Sequence, residues 1–205
     1  MIGIDLSGRK ALVTGATGQL GRAMVRTLAD AGAAIGIHYH SNEAKANELA
    51  EECQAMGRQA VIVRADITVK SDIEAMRETV TAALGAPDIM VNNAVIQYGW
   101  TSVLEQAEAD YESQFRSCVM QNVLMAQAFV PAMRERGWGR VIGINTECLM
   151  QCSPGQSAYI SGKAGMDRVL RVLAKEVGES GVTVNQVAPG WTVSENCPAE
   201  GTPQA

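Results

Sequence analysis

A single-domain α/β fold, with a doubly wound parallel sheet in three layers, is the class this sequence predicts, and two observations carry it. Six short runs rich in β-branched residues alternate with longer helical patterns, and a glycine-rich turn joins the first run to the first helical pattern. The expected strands are 11–14, 34–39, 60–64, 89–92, 140–145 and 182–188. Strands alternating with helices at this rhythm pair in parallel and bury both faces. Between them, apolar residues repeat at helical spacing: Ala23, Met24, Leu28 and Ala29, then Ile73, Met76, Val80 and Leu84, then Met166, Val169, Leu170, Leu173 and Val177. A long helix from about residue 111 carries Pro131, which is expected to kink or end it. Another helix is expected over 158–177.

The 205 residues, 47% of them hydrophobic, suffice for one core without disulfide or metal, so one domain is expected over 1–205. Cys53, Cys118, Cys148, Cys152 and Cys197 lack the spacing of a metal site and read as free thiols of a reducing cytoplasm. A net charge of −5 without a basic block points away from nucleic acid. No apolar run reaches the length of a membrane span, and the first residues lack the order of a secretion signal.

The first strand feeds Thr14-Gly15-Ala16-Thr17-Gly18-Gln19-Leu20-Gly21, and a helix follows. Glycines let a backbone turn sharply and approach a pyrophosphate closely, while the helix N-terminus offers N–H groups to the anion. Thr14, Gly15, Thr17, Gly18, Gln19, Leu20 and Gly21 are therefore expected to hold a dinucleotide. Where a carboxylate would grip the adenosine ribose of NAD, the second strand ends in Tyr39-His40-Ser41-Asn42. No acid there repels a 2′-phosphate, which tilts the reading towards NADP over NAD; the same residues also suit an ordinary polar loop. Asp66, between Ala65 and Ile67, either accepts from adenine or shapes a turn. Asn92-Asn93-Ala94 offers the same two readings.

Tyr159 and Lys163 lie four apart, on one face of the last long helix. A phenol that exchanges protons near neutrality needs its anion stabilised by about 4 kcal/mol, and a neighbouring cation supplies that sign. Thr146 places a hydroxyl thirteen residues upstream, at the end of an apolar run.

Taken together, TGATGQLG, Asp66, Asn92-Asn93-Ala94, Asn122, Thr146, Tyr159, Lys163 and Pro189-Gly190 resemble the short-chain dehydrogenase/reductase family, in order along essentially the whole chain. The resemblance implies a Rossmann-type fold and hydride exchange between NAD(P) and a carbonyl or secondary alcohol. It makes Tyr159 the general acid/base, with Lys163 lowering its pKa and holding the nicotinamide ribose. Thr146 would orient the substrate oxygen, Asn122 would support a water leading to Lys163, and Pro189-Gly190 would lie beside the nicotinamide. Members of this family usually pair through two such long helices, so the resemblance also implies a homodimer or homotetramer.

Four departures mark the chain. Thr146 stands where the family usually has serine, Gln19 alters the glycine spacing, and Val95 replaces the glycine after Asn-Asn-Ala. Relatives usually continue past Trp191 with a lid and a seventh strand; the polar tail 192–205 reads as the opening of such a lid. The chain is accordingly expected to be incomplete relative to the working enzyme, with its last strand an open sheet edge. Alternative functional readings are a 3-oxoacyl-carrier-protein reductase, served by Arg134, Arg136, Arg140, Arg168 and Arg171, and a non-catalytic NADP sensor. Gln97, Tyr98, Trp100, Met150, Gln151, Cys152 and Trp191 are candidate pocket residues, and Glu147 either binds a substrate hydroxyl or a backbone amide.

Overall fold

The computed structural model describes residues 3–193. The expectations for 194–205, including Cys197 and most of the lid segment, lie outside the described residues. β1 (Lys10–Val13), β2 (Ala34–Tyr39), β3 (Ala60–Arg64), β4 (Ile89–Asn92), β5 (Gly139–Ile144) and β6 (Val182–Val187) form one sheet in the order β3-β2-β1-β4-β5-β6. Every pair is parallel. The order reverses between β1 and β4, so the loops after these strands part and leave a crevice at their C-terminal ends.

Strand alternation sorts the core into two layers. Leu12 and Met90 face one side with Val63 and Val141, packed under α3 (Lys70–Leu84), α5 (Gln121–Glu135) and α7 (Ser157–Val177) through Met76, Phe129, Met133, Met166 and Leu170. Val13, Ile35, Ile37, Ile89 and Val91 face the other, against α1 (Gln19–Asp30) and α2 (Glu43–Ala55) through Val25, Ala29, Leu49 and Cys53. The α1 stripe is shifted from its expected position. Gly21, Val25 and Ala29 are its buried residues and Ala23 is exposed.

Two further differences concern α5 and the sheet edge. Pro131 does not end its helix, which runs on to Glu135. The interruption comes earlier: α4 (Glu108–Gln114) passes into a π-helical segment, Phe115–Met120, before α5 begins. There the Asn122 side chain donates to the Cys118 carbonyl at 2.7 Å, and a side chain that engages the ladder in this way accompanies a widened turn. β6 is an edge of the sheet formed by the described residues, with Thr183, Asn185 and Val187 exposed.

At the opposite end from the crevice, the buried Asp88 carboxylate accepts the Lys10 backbone N–H at 3.0 Å and lies 3.7 Å from Arg9, Lys10 and Arg136. Arg9 and Arg140 stack on Trp138, 3.7 and 4.2 Å from its ring centre. Arg140 also donates to Gly139 and Gly181 carbonyls. Arg136 and Arg140 are thus spent on joining loops at the N-terminal ends of β4 and β5. Arg168 and Arg171 pair with Asp167, and Arg134 donates to Ser180. The five arginines do not converge on the crevice, so they do not form the basic entrance that the alternative carrier-protein reading would need.

Candidate active site

All six strands deliver their C-terminal ends to one side, where a cleft of about 470 Å³ is lined by Gly15, Thr17, Gly18, Gln19, Leu20, Gly21, His38, His40, Ser41, Asp66, Ile67 and 93–97. The turn after β1 is built around glycine for two reasons. Gly15 has φ +61°, and a Cβ there would lie 2.9 Å from the Ala94 Cα; at Gly21 a Cβ would come within 2.3 Å of the Gly15 carbonyl oxygen. The turn therefore packs backbone on backbone. Asn93, the residue after β4, pins it, its amide donating to the Thr14 and Gly15 carbonyls at 2.9 and 3.1 Å. The Asn93 and Ala94 N–H groups both donate to the Thr14 hydroxyl. α1 starts at the turn with no side chain capping it and no acid in its first turn, which leaves a positive helix end facing the cleft. This cradle suits a pyrophosphate, and the cleft volume is of the order of a small-molecule site.

Several expected cofactor residues sit beside this cleft and do not line it. Thr14 is buried beneath the turn, Ala65 is buried at the end of β3, and Tyr39 turns into the core with Ala46 and Leu49. The cause for Tyr39 is strand alternation: its neighbours His38 and His40 share the cleft face and it takes the other. Asn42 caps α2, accepting the Lys45 N–H at 3.0 Å. Asp66 shapes the turn after β3 and also faces the cleft. It lines the cleft, and its Oδ1 accepts the N–H and hydroxyl of Thr68 at 2.8 and 2.7 Å. Burial pushes this carboxyl up, but the two Thr68 hydrogen bonds prevail and hold it below the usual range. Val95 finds its room on the cleft wall, with Ile96 and Gln97 beyond it.

His38 was missed by motif reasoning. It is buried, its Nδ1 accepts the Gly15 N–H at 2.9 Å, and its Nε2 donates to the Ala65 carbonyl at 3.0 Å, which assigns the neutral Nε2–H tautomer. Burial lowers its proton affinity below the ordinary 6.5, outweighing the Ala65 bond. The unfolded chain takes up this proton near the ordinary value and the folded one only at lower pH. Stability is therefore undiminished above that value and declines as pH falls through it. Between about pH 7 and 5 the urea midpoint of the wild type should fall more steeply than that of His38→Asn; parallel profiles would exclude this coupling.

At the other end of the crevice, β5 leads into Asn145-Thr146. Asn145 Oδ1 accepts the Thr146 N–H at 3.0 Å while its amide donates to Gln186 of β6 at 2.7 Å, and Thr146 Oγ1 accepts the Cys148 N–H at 3.2 Å. Thr146 is thereby fixed, with its hydroxyl at the Tyr159 phenol. Tyr159 lies in the first turn of α7, its N–H donating to the Tyr98 hydroxyl at 2.7 Å and its ring stacked on Trp100, 6.4 Å between centres. Lys163 follows one turn later, 4% exposed, its Nζ 5.8 Å from the centre of the Tyr159 ring and donating to the Ile144 carbonyl at 2.5 Å.

Spacing therefore brings phenol and amine together as expected, but burial governs their proton affinities here. It pushes the Tyr159 phenol up against the opposing pull of the Thr146 hydroxyl, and it pushes the Lys163 ammonium down. The expected acidification of the phenol is not present in this arrangement, in which the Lys163 amine is turned to the strand end. Asn122 joins the same interior. Its Oδ1 accepts from Asn92 at 2.7 Å and its amide holds Cys118, so the side chain braces the widened turn behind Lys163. Pro189 accepts the Glu147 N–H at 3.1 Å, which brings the segment after β6 against Thr146.

Comparison with known proteins agrees with this geometry. The short chain dehydrogenase family model matches residues 9–203. D-beta-hydroxybutyrate dehydrogenase of Rhizobium meliloti (strain 1021) is 32% identical over 91% of this chain and 72% of its own length. The NADPH-dependent aldehyde reductase-like protein, chloroplastic, of Arabidopsis thaliana is 30% identical over 94% of this chain and 75% of its own. Among solved structures, L-sorbose reductase from Gluconobacter frateurii, complexed with NADPH and L-sorbose, superposes with a TM-score of 0.89 at 27% identity, over 95% of this chain and 74% of that one. No helix among the described residues is long and apolar enough to cross a membrane. The chain belongs to the short-chain dehydrogenase family and is an NAD(P)-dependent oxidoreductase.

Proposed function

We propose that the protein reduces a small ketone or aldehyde to its alcohol with NADPH, with Tyr159 as the proton donor. The observation that carries the reading is the convergence of the Tyr159 phenol, the Thr146 hydroxyl and the Lys163 amine at the end of β5, beside the glycine-walled cleft. The bound cofactor supplies the hydride to the carbonyl carbon. Thr146 donates a hydrogen bond to the carbonyl oxygen, and Tyr159 passes its proton to that oxygen as it becomes an alkoxide. Burial pushes the phenol's proton affinity up, the direction that favours the acid form a reduction draws on. Lys163 then restores the proton, with Asn122 bracing the turn that leads to it. Pro189 and Gly190, tied to Glu147 by the Pro189 carbonyl, would lie beside the nicotinamide.

Preference for NADPH is supported at the end of β2. His40 and Ser41 line the cleft, and Arg64, brought opposite Tyr39 by strand register, donates to the His40 carbonyl at 3.2 Å. This sets a guanidinium beside the loop after β2, a cation that residue order alone did not bring there and that supports the NADPH reading. Two of the similar proteins carry NADPH in their names or complexes. The test is kcat/KM for NADPH against NADH across sugars, short ketones, aldehydes and acyl thioesters. A ratio above about 10 is expected from one charge-assisted contact. Preference for NADH, or turnover confined to acyl thioesters, would overturn this reading.

An oligomer is also part of the proposal. Val123, Ala126 and Gln127 of α5 and Val169, Val172 and Leu173 of α7 line an open apolar groove, with Val172 55% exposed. A second copy is the natural cover for such a face. The free thiols Cys53, Cys118, Cys148 and Cys152 suit the cytoplasm.

A further inference from the structure

We propose that Glu147 determines substrate class: its carboxylate accepts a hydrogen bond from a hydroxyl next to the reacting carbon, so the preferred substrates are neutral hydroxy ketones and hydroxy aldehydes. This rests on the reading of Tyr159 and Thr146 above and carries it to the substrate.

Glu147 follows Thr146 directly, and its backbone is tied to Pro189. Its side chain reaches over the segment after β6. A Cβ added at Gly190 would lie 2.6 Å from Oε2 and 2.9 Å from Oε1, so the carboxylate rests on the glycine and only a glycine leaves it that place. Oε1 accepts from the Gln151 amide at 3.0 Å, one helical turn on, across α6 (Cys148–Gln151). Among the described residues Oε2 has no hydrogen-bond partner and Glu147 forms no ion pair. A carboxylate has about four acceptor sites. This one is half-exposed, oriented through one oxygen and open at the other, immediately beside the hydroxyl that faces Tyr159.

The rest of the mouth suits a hydroxylated carbon chain. Trp100 is 54% exposed while its ring stacks on Tyr159, which gives a flat apolar surface for C–H groups at the reacting end. The cation packed against the phenol, Lys163, is buried and donates to the Ile144 carbonyl. A substrate carboxylate would therefore meet Glu147 with its countercharge engaged elsewhere, whereas a hydroxyl meets an acceptor. A site built to bond a hydroxyl discriminates strongly against the analogue that lacks it.

The experiment compares hydroxyacetone with acetone, with NADPH saturating, in the wild type, Glu147→Gln and Glu147→Ala. Intrinsic reactivity cancels when the hydroxyacetone-to-acetone ratio of kcat/KM in each variant is divided by that of the wild type. Glu147→Ala should lower the ratio about 10- to 100-fold through hydroxyacetone alone, while the amide of Glu147→Gln, still an acceptor, falls between. The far-ultraviolet circular dichroism spectrum and thermal midpoint should match the wild type in both variants, which reports an intact fold. An unchanged ratio, or equal loss on both ketones, overturns the proposal and leaves the oxidoreductase reading standing. If the wild type reduces neither ketone while binding NADPH, the small-carbonyl reading itself fails and this proposal with it.

Discussion

Tyr159→Phe is expected to lower kcat/KM for carbonyl reduction by about 10² to 10⁴ while NADPH affinity changes little. The phenol is 4 residues from Lys163 on the same face of α7, and the Thr146 hydroxyl sits at its oxygen. Removing that oxygen leaves the ring packed on Trp100 and the Tyr159 N–H bonded to Tyr98, so the helix start is preserved. What disappears is the proton donor to the developing alkoxide, worth about 3–5 kcal/mol of barrier on the same scale. Steady-state kinetics and a cofactor fluorescence titration on the same preparation separate the two effects. Loss of cofactor binding in parallel with turnover would instead assign the phenol a structural role.

Gly21→Ala has the second largest expected effect, on cofactor affinity. The added methyl would lie 2.3 Å from the Gly15 carbonyl oxygen and 2.8 Å from the Ala16 Cα, both backbone atoms with no rotamer to escape by. The turn must open, and overpacking of this kind costs about 1–3 kcal/mol, equivalent to a roughly 5- to 150-fold weaker cofactor affinity where the strain falls on the bound form. Gly178→Ala is the control, since nothing lies within 4 Å of its added Cβ. Equal affinity for wild type and Gly21→Ala would mean that the cofactor does not use this turn.

How much of this was legible in residue order follows from the range of each interaction. The strands fell within a residue of their expected ends, because β-branched runs bounded by glycine and polar residues are local signals. The glycine turn was equally local. The π-helical segment Phe115–Met120 carries neither proline nor glycine, and it coincides with the Asn122 side chain taking the Cys118 carbonyl, a contact invisible to periodicity. Arg64 reaches His40 only because β2 and β3 pair with Tyr39 opposite Arg64, a register that no short window contains. His38 was readable in principle, since it alternates with His40 on β2, but nothing in the order of residues announces that its ring would bridge Gly15 and Ala65.

The catalytic group shows the same boundary. Four-residue spacing puts Tyr159 and Lys163 on one face, and the structure has them there. Spacing says nothing of dielectric, and burial is what sets the direction of both proton affinities. Glu147 belongs to this class too. Its place beside Thr146 is sequential, while its position over Gly190 depends on β5 and β6 pairing in parallel from Gly139↔Val182 to Ile144↔Val187.

The central claim is that hydride exchange at this site is completed by a proton from Tyr159. Its most direct measurement is mass spectrometry of the alcohol formed from a ketone that the wild type reduces, using reduced cofactor deuterated at the transferred position. One deuterium on the former carbonyl carbon is expected with the wild type, and at most a trace over the same time with Tyr159→Phe. Label transferred equally fast by both proteins would contradict the account.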